Sequence, residues 1–235
     1  MDSVRRRALV EALVAALAVT AGVTLASAFL PDKYIATAVG FVFLGATWLL
    51  VWRRDDVVVL RSGLAFGGLV LPGAFDLRRT ARRGARSLGW ALAFAAVSFV
   101  PFYFGWRAWW HAHGTFALTP RPSEVANEML GQLVIIALPE EAFFRGYLQS
   151  RLDEVWPPRW NVAGARVGAG IFVASLVFAL GHLATIHAAV RLAVFFPALL
   201  FGWLRARTGG IGASVAYHAM CNVFSEALGR GYGLY

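Results

Sequence analysis

Two adjacent carboxylates, Glu140 and Glu141, follow the apolar run Leu133-Val134-Ile135-Ile136-Ala137-Leu138 and lead into Ala142-Phe143-Phe144-Arg145. Ionisable groups at membrane depth are costly and rare, so a functional site is the first hypothesis for them. On a helix Glu141 and Arg145 stand four apart on one face and can pair. Glu140 points about 100° away from its neighbour and has no local partner. A carboxylate in apolar surroundings without a fixed counter-charge has a raised proton affinity, which suits a general acid or base. The competing reading pairs Glu140 with a distant arginine, or turns it toward a wet cleft for structural reasons.

Two further segments carry polar groups of the same kind. Phe178-Ala179-Leu180-Gly181-His182 places an imidazole at the end of an apolar stretch. In Tyr217-His218-Ala219-Met220-Cys221-Asn222, His218 and Asn222 are four apart and project from one helix face. Taken singly, His182 reads as a hydrogen-bonded core residue, and the His218/Asn222 pair as polar glue between helices. Taken together, three segments supply a base, imidazoles and an amide donor, the parts of a site that activates water against a carbonyl.

The same residues could ligate zinc. However, no His-Glu-x-x-His helix is present, no Asp or second Cys supplements the set, and Cys221 is the single cysteine. The expected chemistry is therefore metal-free, with a zinc protease as the alternative. No serine sits in a Gly-x-Ser-x-Gly context. His111 and His113 read as surface histidines beside Trp106, Trp109 and Trp110, an interfacial aromatic belt. A Glu/His set would also suit a proton-coupled transporter, but neither an internal repeat nor a pair of broken helices is legible.

The elements that must hold these groups are membrane helices. Of 235 residues, 59% are hydrophobic and 15% charged, and the mean hydropathy is +0.62. That composition and its long uncharged runs give an all-α, polytopic membrane helix bundle in one domain, residues 1–235, with about seven spans. The spans run roughly over 8–29, 34–52, 88–106, 124–152, 167–186, 191–204 and 211–228, so the catalytic half is about 124–228. Pro139 inside the fourth span predicts a kink or a restart there, and Ser123 is its expected N-cap. Leu64 to Leu71, in a connection rich in Gly63, Gly67, Gly68, Pro72 and Gly73, is too short to span and reads as interfacial or re-entrant. The stretch 153–166, with Pro157-Pro158, reads as a polar loop. Arg5-Arg6-Arg7 before an apolar run resembles a signal peptide, with Ala26-Ser27-Ala28 as a cleavage site. The run is long and further spans follow at once, so an uncleaved first helix is expected.

The net charge of +9 does not point to nucleic acid, because the basic residues sit in loops rather than along a groove. With the N-terminus inside, sixteen of the 22 basic residues face the cytoplasm and five the other side, with Arg145 between them. This predicts a cytoplasmic N-terminus; the expected location is the bacterial inner (cytoplasmic) membrane. It also puts the Glu-Glu pair in the cytoplasmic half of its span, with the basic connection after the second span held at an anionic leaflet.

The ordered set Glu140-Glu141-x-x-x-Arg145, Phe178-x-x-x-His182 and His218-x-x-x-Asn222 resembles the CPBP family, the glutamic-type intramembrane proteases related to the CAAX prenyl endopeptidases. Phe144-Arg145-Gly146 and Thr208-Gly209-Gly210 add to the likeness, which covers roughly 130–226. The resemblance implies that Glu140 is the general base and that His182 holds the attacking water from its other side. It implies that Arg145 anchors Glu141, and that His218 and Asn222 donate to the oxyanion. It also implies a membrane-associated peptide or protein substrate: a CAAX-type tail, a leader peptide or a sorting signal. An immunity-type member that binds without cutting is the remaining alternative.

Overall fold

Asp2 opens the first helix by accepting a hydrogen bond from the Arg5 amide at 2.8 Å. In the computed structural model, which describes residues 1–71 and 75–234, this helix, α1, spans Ser3–Phe29. It buries Ala8, Ala12, Ala16, Val19 and Val23 at helical spacing. Small residues along that face let neighbouring backbones approach closely. Leu30-Pro31 ends α1, and α2 (Asp32–Thr47) returns beside it, continuing in wider turns over Trp48–Trp52. A short helix, α3 (Asp56–Arg61), follows.

The next segment dips into the bundle. Leu64 is fully buried, and a Cβ added to Gly146 would lie 2.8 Å from a Leu64 methyl. The expected re-entrant piece is thus seated at Leu64 and Ala65, while Leu69 is exposed. Pro72 and Gly73 of this connection lie outside the described residues. The fourth helix, α4 (Leu77–Trp109), starts well before the expected third span. Asp76 caps it through the Arg79 amide at 3.0 Å. Arginine is a good helix former, so the basic stretch is helical rather than a loop.

The central rod runs from 122 to 155 as α5 (Pro122–Gly131), α6 (Leu138–Glu141) and α7 (Ser150–Val155), joined by widened turns over Gln132–Ala137 and Ala142–Gln149. Its N-cap is Arg121 rather than Ser123. The Glu124 carboxylate reaches back to the Arg121 amide at 3.1 Å, a closure Ser123 cannot make from inside the helix. Beyond the rod, the expected polar loop contains a hairpin, β1 (Trp160–Val162) paired antiparallel with β2 (Ala165–Val167). Ala163 and Gly164 both take positive φ, the conformation of a tight two-residue turn. Trp203 pins the hairpin by donating to the Val162 carbonyl at 2.8 Å.

Three helices complete the bundle: α8 (Ala169–Thr185), α9 (Phe195–Thr208) and α10 (Gly212–Gly231). Gly209 closes α9 in the left-handed conformation. α10 packs on α4 and α9, and α8 packs on α9 and the rod. Leu17, Phe41, Val97, Phe104 and Phe196 point outward and are largely exposed, the inside-out pattern of a lipid-facing surface.

The fold is all-α apart from the hairpin, and it is that of a membrane protein. Among the described residues, four helical stretches are long and apolar enough to cross a bilayer: Ser3–Phe29, Asp32–Trp52, Leu77–Trp109 and Ala189–Thr208. The rod, α8 and α10, which carry the singled-out polar groups, do not meet that standard. α8 is short, at 17 residues, and the other two are interrupted or diluted by polar side chains.

Candidate active site

Pro139 lacks an N–H, so an ordinary α-turn cannot close through it. The rod answers by widening on both sides of the Leu138–Glu141 turn, a local distortion common at functional sites. Residues Pro139 to Gln149 are buried on every face, which makes this stretch the axis of the bundle. α2 meets it without a side chain between them. A Cβ on Gly40 would sit 2.8 Å from the Ile135 carbonyl oxygen and 3.5 Å from the Pro139 ring.

Glu141 is completely buried, and its Oε1 accepts two hydrogen bonds. Arg145 Nη1 donates at 3.0 Å and His218 Nδ1 at 2.9 Å. Arg145 is held from three further directions. Its Nη2 donates to the Ala198 carbonyl at 3.0 Å, and its guanidinium lies 4.6 Å from the Phe178 ring centre and 5.1 Å from that of Phe201. The His218 ring stacks on Phe201 at 4.7 Å and meets the edge of Phe178 at 5.9 Å.

Because a carboxylate can only accept, His218 carries its proton on Nδ1, which turns Nε2 toward Glu140. The Nε2 to Glu140 Oε2 distance is 3.8 Å, beyond a hydrogen bond. Among the described residues Glu140 Oε2 has no partner, although the side chain is buried. His182 Nδ1 donates to the Phe178 carbonyl at 3.0 Å, one turn back on α8, so its Nε2 is free to accept. Phe178 thus touches both imidazoles, at 4.4 Å for His182.

Asn222 stands apart from that group. Its Nδ2 donates to Gln132 Oε1 at 2.8 Å, and Gln132 Nε2 donates in turn to Glu128 at 3.0 Å. Gln132 went unremarked in the sequence reading. Its signal was a lone amide ahead of an apolar run, two turns before the paired carboxylates.

Glu140 and His182 line a cleft of about 440 Å³ walled by α1, α2, the rod and α8. Thr20, Val23 and Ser27 of α1 contribute, as do Asp32 and Gly40 of α2 and Thr185 of α8. Tyr147 and Arg151, later in the rod, instead reach Glu11 near the start of α1. The cleft therefore lies toward the end of the bundle away from Ser3. Among the described residues no group of three or more His, Cys, Asp or Glu is arranged to hold a metal ion.

Residues 122–224 match the family described as Type II CAAX prenyl endopeptidase Rce1-like. That range contains the whole set from Glu140 to Asn222 and omits α1 to α4. No curated protein and no solved structure matches the chain.

Proposed function

We propose, from the match of residues 122–224 to the family described as Type II CAAX prenyl endopeptidase Rce1-like, that the chain is an intramembrane endopeptidase of glutamic type. The observation that carries this reading is the buried, unpartnered Oε2 of Glu140. It lies on a cleft, 3.8 Å from a His218 nitrogen whose ring is fixed from behind by Glu141.

A water between Glu140 and His182 loses a proton to Glu140 as its oxygen attacks the scissile carbonyl carbon. His182 Nε2 accepts a hydrogen bond from the water's second O–H, which stays on the oxygen, and so aims the attack. The oxyanion is met by donors: the Asn222 amide has one N–H committed to Gln132 and a second to offer. His218, with Nδ1–H committed to Glu141, donates from Nε2 when that nitrogen also carries a proton. Collapse of the tetrahedral intermediate breaks the C–N bond, with Glu140 returning its proton to the leaving amine. The products are an amine and a carboxylic acid, which passes its remaining proton to the amine or to solvent to become a carboxylate. A donor of this kind lowers the barrier by about 3–4 kcal/mol.

This chemistry needs no metal, and chelation is expected to leave turnover intact; loss rescued by zinc would replace the reading with a zinc protease. The substrate is a membrane-associated peptide or protein, and the activity fits removal of a CAAX-type tail, a leader or a sorting signal. The asymmetry of arginines continues to favour a cytoplasmic N-terminus. With that orientation the lining of the cleft by Ser27 and Asp32 supports substrate entry from the face opposite the N-terminus. The decisive experiment uses the purified chain in lipid with a cleavable reporter. Glu140→Gln is expected to abolish turnover while the protein stays folded, and a folded, fully active variant would remove the mechanism.

A further inference from the structure

The cleft that ends at Glu140 and His182 continues to a second polar region, where Ser27 and Asp32 sit. The Ser27 hydroxyl is buried and, among the described residues, has no hydrogen-bond partner. Serines in helices commonly satisfy themselves on a carbonyl one turn back; this one keeps its donor. Asp32 is exposed in the first turn of α2 and is the carboxylate at the cleft's outer end, while the walls between are mainly apolar. The neighbouring Lys33 is turned away over the Tyr34 ring at 4.7 Å and is not among the lining residues.

We infer that this outer region is a substrate subsite: Asp32 selects a basic side chain, and Ser27 hydrogen-bonds the backbone of an extended peptide leading from it to the scissile bond. The inference rests on the hydrolytic reading of Glu140. Gly40 lies beside the Glu140 turn, since it packs against Ile135 and Pro139. From Asp32 to Gly40 at ~1.5 Å of rise per residue the helix covers about 12 Å. An extended chain at ~3.4 Å per residue crosses that span in about four residues. The subsite therefore takes Lys or Arg about four residues from the bond that is cut. The long chain of such a residue lies along the apolar wall while its charge stays at the wet mouth, where Asp32 is.

The test uses full-length protein in phosphatidylcholine nanodiscs and a set of fluorescent peptides of one apolar sequence. A single arginine is moved along each peptide, with citrulline at the same position as the neutral control. Two readouts are taken: cleavage by the wild type, and binding to the Glu140→Gln variant. The arginine-to-citrulline ratio in kcat/KM is expected to peak at about tenfold with the residue about four positions from the cut. The binding ratio is expected to follow it. In an Asp32→Asn background both ratios should fall to about one, and in Asp32→Lys they should invert for a glutamate-bearing peptide. Each ratio is internal to one variant, so a general loss of activity does not imitate the result. Cleavage without any dependence on residue 32 overturns the subsite and leaves the protease standing. Binding that depends on residue 32 in a chain that cuts nothing keeps the subsite and removes the protease. Failure of both removes both. Ser27→Ala is expected to raise KM severalfold for every peptide in the set, arginine-bearing or not; an unchanged KM would remove Ser27 from the subsite.

Discussion

A single oxygen of Glu141 accepts from both Arg145, at 3.0 Å, and His218, at 2.9 Å, inside a protein interior that water does not reach. Glu141 is thus the joint between the rod and α10, and Glu140, one residue earlier, is left to face the cleft. Adjacent carboxylates acquire different work because only one of them is tied down.

The first prediction separates the two. Glu141→Gln leaves the Arg145 guanidinium buried without its counter-charge, and breaking a buried pair from one side costs about 3–5 kcal/mol. The variant should therefore lose both activity and much of its thermal stability in detergent. Glu140→Gln should lose activity alone, because no partner depends on it. Equal melting temperatures for the two variants would contradict this division of roles.

A second prediction concerns Asn222 and the residue that holds it. Under the proposed mechanism Asn222→Ala removes an oxyanion donor and should lower kcat by about 10²–10³ with little change in KM. Gln132→Ala leaves the amide in place but unoriented, so a smaller fall of about tenfold in kcat is expected, again without a KM change. Gln132→Glu keeps an acceptor for Asn222 Nδ2 while dropping the donor to Glu128, and should restore most of the rate. A merely structural role for Gln132 would show instead as equal losses in both variants.

Much of this arrangement was legible in the chain, for reasons that can be named. The Glu141–Arg145 pair is a one-turn contact, so helix periodicity alone predicted it. The unpaired state of Glu140 followed from the same geometry. The contact of His218 with Glu141 joins residues far apart in sequence, and no local rule encodes it. The Asn222–Gln132 bond was missed for the same reason. The height of Glu140 along the bundle has no local signal, because span boundaries drawn on hydropathy say nothing about how far one helix slides along another. Tyr147 and Arg151 against Glu11 set that register. The hairpin at 160–167 escaped because strands of three residues carry too little alternation to be read.

The third prediction tests the close approach that presents Glu140 to the cleft. Gly40→Ala places a methyl 2.8 Å from the Ile135 carbonyl oxygen, and neither backbone can yield without moving α2 off the rod. Overpacking of this kind costs about 1–3 kcal/mol. A moderate fall in thermal stability is expected together with a larger fall in kcat, since α2 is also a wall of the cleft. Gly45→Ala, on the same helix with open space around it, is the control and should change neither.

The last prediction lies beyond the membrane spans, at Asp153. Its carboxyl packs against the first turn of α8 at Gly170, and burial pushes its pKa up to about 7, with Arg205 pulling only partly the other way. A carboxyl whose folded pKa is raised binds its proton more tightly folded than unfolded, so the unfolded chain releases the proton first. Its contribution is therefore fully present below the unfolded value of about 4. It declines as pH climbs toward the folded value of about 7, and is gone above that. Thermal unfolding of the wild type between pH 4 and pH 8 should accordingly show a melting temperature that falls through this window and then levels. Asp153→Asn, which fills the same space without titrating, should flatten that part of the profile. It should also melt above the wild type at pH 8, and a variant profile parallel to the wild type would show that Asp153 keeps its charge without penalty against α8.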